Sequence, residues 1–316
     1  MRDIEINTKP VTLPNFMIVG AAKSGTTSLY HYLKQHPDVY MPDLKEPLFF
    51  CFYGLSNERF SDTVYPNDPG EYIRDFQGYL SLFSANADSK AVGEASAGYL
   101  FYYKRTIENI KKLLPNWREI KIIIILRNPV DASFSHYLMY RMRGDETLTF
   151  EDAIEHEKER IKAGKGIDTL IHFERFFYYN QVKAYMENFT QVRVYLYDDL
   201  MDDAFGMVRD IFEFLDVDSS FVPRTDTKYN MSGIPKNLLL HKLLTTRNIL
   251  RVATGTFLKV VLSDEKALKL YEYLRSKNLK KAKMKPETRE LLKRLYREDI
   301  LKLQGLINRD LEHWLR

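Results

Sequence analysis

Two unbroken apolar runs constrain this chain more than anything else in it: FMIVG, Phe16–Gly20, and KIIIIL, Lys121–Leu126. Neither alternates apolar with polar residues, so neither reads as a strand with one wet face. Both read as strands buried on two sides, as in a parallel sheet covered by helices. KAVGEAS around Val92 and VRVYLY, Val192–Tyr197, are weaker runs of the same kind. Helical spacing separates them. Leu29, Tyr32 and Leu33 share a face after the first run; Ile107, Ile110, Leu113 and Leu114 do so before KIIIIL; Val208, Ile211, Phe212 and Leu215 follow VRVYLY. Strands alternating with helices predict an α/β fold, a central parallel sheet flanked by helices. From Pro286, the residues Leu291, Leu292, Leu295, Tyr296, Ile300, Leu303, Leu306 and Ile307 mark a long amphipathic C-terminal helix, with Pro286–Glu287 as its start signal. The stretches 53–78 and 143–166 carry no clear period and are expected to be loops or lid insertions. With no internal repeat, residues 1–316 read as one domain. Its core is expected at about 14–237 and a helical extension at about 238–316.

Composition narrows the function classes. A chain of 316 residues is long enough for a large core without covalent staples. A net charge of +4 favours an anionic ligand but falls short of a nucleic-acid footprint. The single cysteine, Cys51, excludes an intrachain disulfide framework and any multi-cysteine zinc site; in PLFFCFY it reads as a small buried hydrophobe. The 21 tyrosines and 19 phenylalanines suit an aromatic core or contacts to sugar rings. No run approaches the roughly 20 apolar residues of a membrane-spanning helix. The start, MRDIEINTKPVTLPN, carries acids and prolines where a signal peptide has a basic patch and an apolar run, which predicts a cytoplasmic protein. The histidines lack metal-ligand spacing, and His136, beside Ser135, reads as a helix-surface residue.

The chemistry concentrates after the first run. GAAKSGTTS leads from a buried strand into a helix, where backbone N–H groups and the positive end of the helix dipole form an anion site. Gly20 and Gly25 let the backbone bend, Thr26, Thr27 and Ser28 add hydroxyls, and Lys23 adds a mobile charge. The alternative is a plain tight turn of small residues. A nucleotide-triphosphate loop has the form GxxxxGK[ST], whereas here Lys23 precedes the last glycine of the turn. Nor does an acid close KIIIIL where a magnesium ligand belongs; Arg127 stands there instead. A cation at that point suits a second phosphate, although Arg127 is also placed to pair with Asp131.

These residues carry a family resemblance. AAKSGTTSL resembles the 5′-phosphosulfate loop of PAPS-dependent sulfotransferases, PAPS being 3′-phosphoadenosine 5′-phosphosulfate, and IIIILRNPVDASFSHY resembles their 3′-phosphate motif. KEPLFF, Lys45–Phe50, is similar to a segment of the heparan-sulfate-type and bacterial carbohydrate branch; SGIPKN, Ser232–Asn237, is similar to a third cofactor loop, and the closing NRDLEHWL to the end of bacterial members. The resemblance implies a P-loop-like fold and PAPS as cofactor. It implies that Lys23, Ser24, Gly25, Thr26, Thr27 and Ser28 grip the 5′-phosphosulfate, with Lys23 at the bridging oxygen. Arg127 and Ser135 are implied to hold the 3′-phosphate, Ser232, Gly233 and Lys236 to close over it, and Tyr197 to reach the adenine or pack in the core. Glu46 is implied as general base and substrate contact, or else is a solvated partner of Lys45. Glu94, in VGEASAGYL, is a candidate acceptor-binding residue, although the lysine that many relatives carry after it is Ala95 here.

The implied reaction is metal-free, in-line transfer of a sulfuryl group from PAPS to a hydroxyl or amine, with a carbohydrate as the expected acceptor. A P-loop-type kinase and a non-catalytic nucleotide- or glycan-binding module are the alternatives. No nucleic-acid partner is expected. Arg141, Arg143, Lys158, Arg160, Lys162 and Lys165 read as a solvated helix face or as a track for an anionic polymer.

Overall fold

The computed structural model describes residues 4–6, 9–11, 13–56, 73–84, 89–143, 145–163, 170–225, 234–235, 279–280 and 282–316. Its centre is a five-stranded sheet built from β1 (Phe16–Gly20), β2 (Val39–Tyr40), β3 (Ala91–Ala95), β4 (Lys121–Leu126) and β5 (Val192–Leu196). All neighbours are parallel and the order is β2-β3-β1-β4-β5. Met17 stands opposite both Glu94 of β3 and Ile122 of β4, so β1 lies at the middle of the sheet.

The apolar runs are unbroken because both faces are covered. Met17, Val19, Ile122, Ile124 and Leu126 belong to one core cluster. Phe16, Ile18, Ile123 and Ile125, their alternating neighbours, belong to the other. The first layer is roofed by α2 (Tyr103–Leu113), α3 (Pro129–Arg143), α5 (Tyr178–Asn188) and α7 (Pro286–Ile307), the second by α1 (Thr26–Leu33) and α6 (Ala204–Phe214). Chain connections leave β1 toward β2 on one side and reach β4 on the other, after β3. The carboxyl ends of β1, β3 and β4 therefore flank a topological switch point, where open α/β sheets bind ligands.

The C-terminal helix forms where its period predicts, with Pro286 in its first turn, and buries Leu292, Tyr296, Ile300 and Leu303 against α3 and α5. It also closes a debt of α5, which has no capping side chain of its own. The Asp299 carboxylate of α7 accepts from the backbone N–H groups of Tyr178 (2.7 Å) and Tyr179 (3.2 Å).

Two expectations about loops are corrected. Within 143–166 a helix, α4 (Phe150–Ala163), begins where Thr149 Oγ1 accepts from the Asp152 N–H and donates to its carboxylate. Within 53–78, Asp75 caps a short helix at Phe76–Ser81 by accepting from Gly78 N–H at 2.7 Å. No described helix is long and apolar enough to cross a membrane.

Candidate active site

The loop after β1 is set by backbone geometry first. Ala21 N–H donates to Ile125 O (2.7 Å), extending the β1–β4 pairing one residue beyond the strand. The chain then turns through two left-handed residues, Lys23 (φ 63°) and Gly25 (φ 93°), and enters α1. Gly25 is the N-cap; no side chain caps α1, and its first turn holds no acid. Leu29 N–H is bonded back to Gly25 O (3.1 Å), so the amides of Thr26, Thr27 and Ser28 precede that bond and face outward along the helix axis. A Cβ on Gly25 would stand 2.6 Å from Leu200 Cδ2 and 3.2 Å from the Tyr197 ring, which fixes how closely this turn approaches the short helix Tyr197–Asp202.

Cations gather around the turn. Burial, followed by the like charges of Arg127, Arg143 and Lys45, brings the Lys23 ammonium down to about 8. Its Nζ lies 3.8 Å from Met139 Sδ, and among the described residues no carboxylate forms an ion pair with it. Met139 is one turn beyond Ser135 and one turn before Arg143 on α3, so all three share the face toward Lys23. Ser135 itself is nearly buried. Arg127, at the carboxyl end of β4, donates to Lys23 O (3.2 Å), and its guanidinium lies 4.8 Å from the centre of the Tyr197 ring. The alternative partner for Arg127 is occupied elsewhere: Asp131 pairs with Arg289 of α7 at 2.6 Å.

The third side comes from β3. Glu46 N–H donates to Ala95 O (3.0 Å), which ties the Lys45–Phe50 segment to the end of that strand. One Glu46 carboxylate oxygen accepts from Ala97 N–H (2.8 Å) and the other from Lys45 Nζ. Glu46 and Leu48 both hold left-handed backbone, φ 61° and 52°. Non-glycine residues keep such conformations where the surroundings over-determine them, a condition common at functional sites. Lys45 shares its charge between Glu46 and the field around Lys23, so the carboxylate borders the cation cluster.

Most of the expected site residues thus converge: Lys23 through Ser28, Arg127, Tyr197, Ser135 and Glu46. Ser24 is fully buried under the turn, while Thr27 and Ser28 are half-buried at the start of α1. Ser232, Gly233 and Lys236 lie outside the described residues; the neighbouring Ile234–Pro235 segment pairs with Leu279–Lys280 and lies against α3. Glu94 is placed otherwise than an acceptor contact requires. It is fully buried, and its carboxylate accepts from the hydroxyls of Ser96 (2.7 Å), Tyr99 (2.8 Å) and Tyr79 (3.1 Å). His136 is likewise not on a helix surface: it is buried, with Nδ1 2.9 Å from His172 Nδ1, and burial holds it well below the usual imidazole range.

The sequence offers Lys45 as a solvated partner of Glu46, and the two do pair; it marks neither Met139 nor the bracing role of the NRDLEHWL segment. Trp314 is buried; its indole N–H donates to Asp198 (3.2 Å), and its backbone O accepts from Asn128 Nδ2 (3.2 Å). Arg309 pairs with Asp199 at 2.7 Å. The end of the chain is thereby fastened to the residues on either side of the Arg127–Tyr197 contact.

Comparison with known proteins gives this site a context. A model of the family described as "Sulfotransferase family" matches residues 14–221, which contain Lys23–Ser28, Glu46, Arg127, Ser135 and Tyr197 but not the 232–236 segment, α7 or the terminal brace. The chain belongs to the sulfotransferase family. A crystal structure of a sulfotransferase from Alicyclobacillus acidocaldarius is 33% identical and superposes with a TM-score of 0.71, covering 97% of this chain and 100% of that one. Among curated proteins, the membrane-associated sulfotransferase kil1 of Dictyostelium discoideum is 30% identical over 155 residues, 48% of this chain and 29% of its own length. Human carbohydrate sulfotransferase 15 is 29% identical over 171 residues, 45% of this chain and 30% of its own. Human bifunctional heparan sulfate N-deacetylase/N-sulfotransferase 2 is 32% identical over 135 residues, 42% and 14% respectively. The chain therefore matches less than a third of the length of each of these curated relatives.

The close approach at Gly25 generates a stability prediction. Gly25→Ala is expected to lower unfolding free energy by about 1–3 kcal/mol, because the added methyl meets Leu200 and the left-handed φ disfavours any side chain. Pairing it with Leu200→Ala should recover the steric part only, so urea unfolding of the two single variants and the double variant should return a favourable coupling.

Proposed function

We propose that this sulfotransferase moves the sulfuryl group of PAPS to a hydroxyl or amine of a carbohydrate acceptor. The observation that carries the reading is the convergence of Lys23, Arg127, Arg143 and Lys45 beside one carboxylate, Glu46, at the switch point of the sheet. The residues fit the donor. Phosphate and sulfate groups suit a helix N-terminus without a capping side chain and a cation with no ion-pair partner among the described residues. PAPS supplies an activated sulfur whose departing oxygen belongs to a phosphate. The amides of Thr26–Ser28 and the half-buried hydroxyls of Thr27 and Ser28 bind the 5′-phosphosulfate, while Ser24, buried beneath with its hydroxyl on Ala22 O, shapes the turn. Arg127 and Ser135 hold the 3′-phosphate, Tyr197 borders the base, and Ser232, Gly233 and Lys236 complete the enclosure.

Lys23 stabilises charge as it grows on the bridging oxygen. This interaction is stronger in the transition state than in the ground state, and so it accelerates the step. Glu46 takes the proton from the attacking hydroxyl, with Lys45 and the Ala97 N–H holding its two oxygens in place. Arg127 occupies the end of β4, so charge neutralisation comes from protein cations. The carbohydrate class is supported by the relatives named carbohydrate and heparan sulfate sulfotransferases.

Four outcomes test the reading. Lys23→Ala should reduce turnover by about 10²–10³-fold, as removal of a charge-stabilising donor does. Glu46→Gln should reduce it by about 10²–10⁴-fold while leaving affinity for adenosine 3′,5′-bisphosphate intact. Stopped assays with labelled PAPS and a glycan panel, run beside ATP with magnesium, would reject the reading if ATP were consumed and PAPS were not. The fourth outcome concerns pH. Lys23 is lowered to about 8 in the ligand-free protein, and a bound anion favours its charged form. Above about pH 8 binding of the bisphosphate should therefore take up a proton, and affinity should weaken as pH rises from about 7 to about 9. Calorimetry in buffers of different ionisation heat measures this, and Lys23→Met should abolish both effects.

A further inference from the structure

Glu94 has no route to an acceptor, yet its surroundings are built with care. It sits on β3, fully buried, and three hydroxyl groups donate to it: Ser96 Oγ, Tyr99 Oη and Tyr79 Oη. Two of those hydroxyls have a second bond. Ser96 Oγ accepts from Leu48 N–H (3.1 Å), and Tyr99 Oη accepts from Phe50 N–H (3.3 Å). A hydroxyl has one proton and two lone pairs. With its proton committed to Glu94, each oxygen can present only lone pairs to the backbone of the Glu46–Phe50 turn. That turn also carries the left-handed residues Glu46 and Leu48, and it is tied to the end of the same strand by Glu46 N–H to Ala95 O and by Ala97 N–H to the Glu46 carboxylate.

We propose that Glu94 is a positioning residue for Glu46: its carboxylate fixes the direction of the Ser96 and Tyr99 hydroxyls, and these hold the turn that aims the Glu46 side chain. The role in turnover rests on the reading of Glu46 as the base; the role in holding the turn does not. The ionised carboxylate accepts all three hydroxyl protons. A protonated one becomes a donor itself; where it donates to Ser96 Oγ, the Ser96 proton loses its acceptor, and the orientation that presents a lone pair to Leu48 N–H is no longer fixed. Burial raises Glu94 to about 7, offset by the bonds from Ser96, Tyr99 and Tyr79 and reinforced by the charge of Glu46. The other titratable groups facing this cluster are Tyr79 and Tyr99, Tyr185 of α5, and Cys51 of the Phe49–Phe52 turn. The three tyrosines are driven well above their usual range by burial and remain neutral. Protonation of Glu94 is thus the change that loosens the turn, and turnover should fall as pH drops through about 7.

The test compares the wild type with Glu94→Gln, Ser96→Ala and Tyr79→Phe. Glu94→Gln keeps the shape and mimics the protonated acid. Hydrogen exchange of the Glu46–Phe50 segment, read by mass spectrometry, should quicken in Glu94→Gln and in Ser96→Ala. It should keep the wild-type rate in Tyr79→Phe, whose lost hydroxyl carries no onward bond to the turn. Turnover of Glu94→Gln should be about 10-fold to 100-fold below wild type at about pH 8, converge with it in acid and lose the limb near neutrality, with bisphosphate affinity unchanged. If Glu94→Gln does not fold, Ser96→Ala carries the exchange measurement. Wild-type exchange of the segment in both variants overturns the positioning role, and a wild-type pH profile in Glu94→Gln overturns its link to turnover. Failure of the wild-type protein to bind the bisphosphate would strike the PAPS reading instead, and the exchange result would still decide whether Glu94 holds the turn.

Discussion

The turn between β1 and α1 holds a cation that its own surroundings do not neutralise. Lys23 is partly stripped of water and faces Arg127, Arg143 and Lys45, so the folded protein bears a repulsion that the unfolded chain lacks. A group in this situation weakens the folded state by itself; it gains a favourable environment only when an anion enters. The supporting structure is arranged to tolerate the imbalance. Arg127 donates to the carbonyl of Lys23 and spreads its charge over the Tyr197 ring, while Lys45 leans on Glu46. Arg127 and Lys45 thus each have a partial outlet, and Lys23 has none among the described carboxylates.

The sheet order explains why residues far apart in sequence meet at this point. β1, β3 and β4 are adjacent and parallel, so their carboxyl ends open on the same side. From β1 comes the turn with Lys23, from β4 comes Arg127, and β3 anchors Glu46 through Ala95 and Ala97. Glu46 is thus not on the strand that positions it. It belongs to a segment hung from that strand by backbone hydrogen bonds, which makes its aim depend on side chains that never touch a ligand.

What could be read from the amino-acid sequence follows from how local each cause is. β1 and β4 occupy the ranges their apolar runs predict, because two-sided burial leaves an uninterrupted pattern. β2 escaped notice since two residues, Val39–Tyr40, are too few to show a period. α4 was legible in principle: Thr149 followed three residues later by Asp152 is a capping signal, obscured by the charges of HEKERIKAGK. Glu94 and His136 were misplaced for a different reason. KAVGEAS reads as a weak buried strand, but the groups around its one acid are not marked near it: Glu94 is enclosed by Tyr79 and Tyr99 from separate helices, and His136 by His172 and Phe176 from a later segment.

The end of the chain was readable as a helix but not as part of the site. Its long helix would form on its own period, yet the residues beyond it do something the period does not encode. Trp314 receives Asn128 on its carbonyl and gives its indole proton to Asp198, and Arg309 binds Asp199. Asn128 follows Arg127 directly, and Asp198 follows Tyr197. The two halves of the cation–ring contact arise from the ends of neighbouring strands β4 and β5. By bonding to the next residue of both, the terminal segment converts two independent loops into one braced unit. The stacking of Arg127 on Tyr197 is then held from behind by the part-buried bonds of Trp314 to Asn128 and Asp198 and by the more exposed Arg309–Asp199 pair.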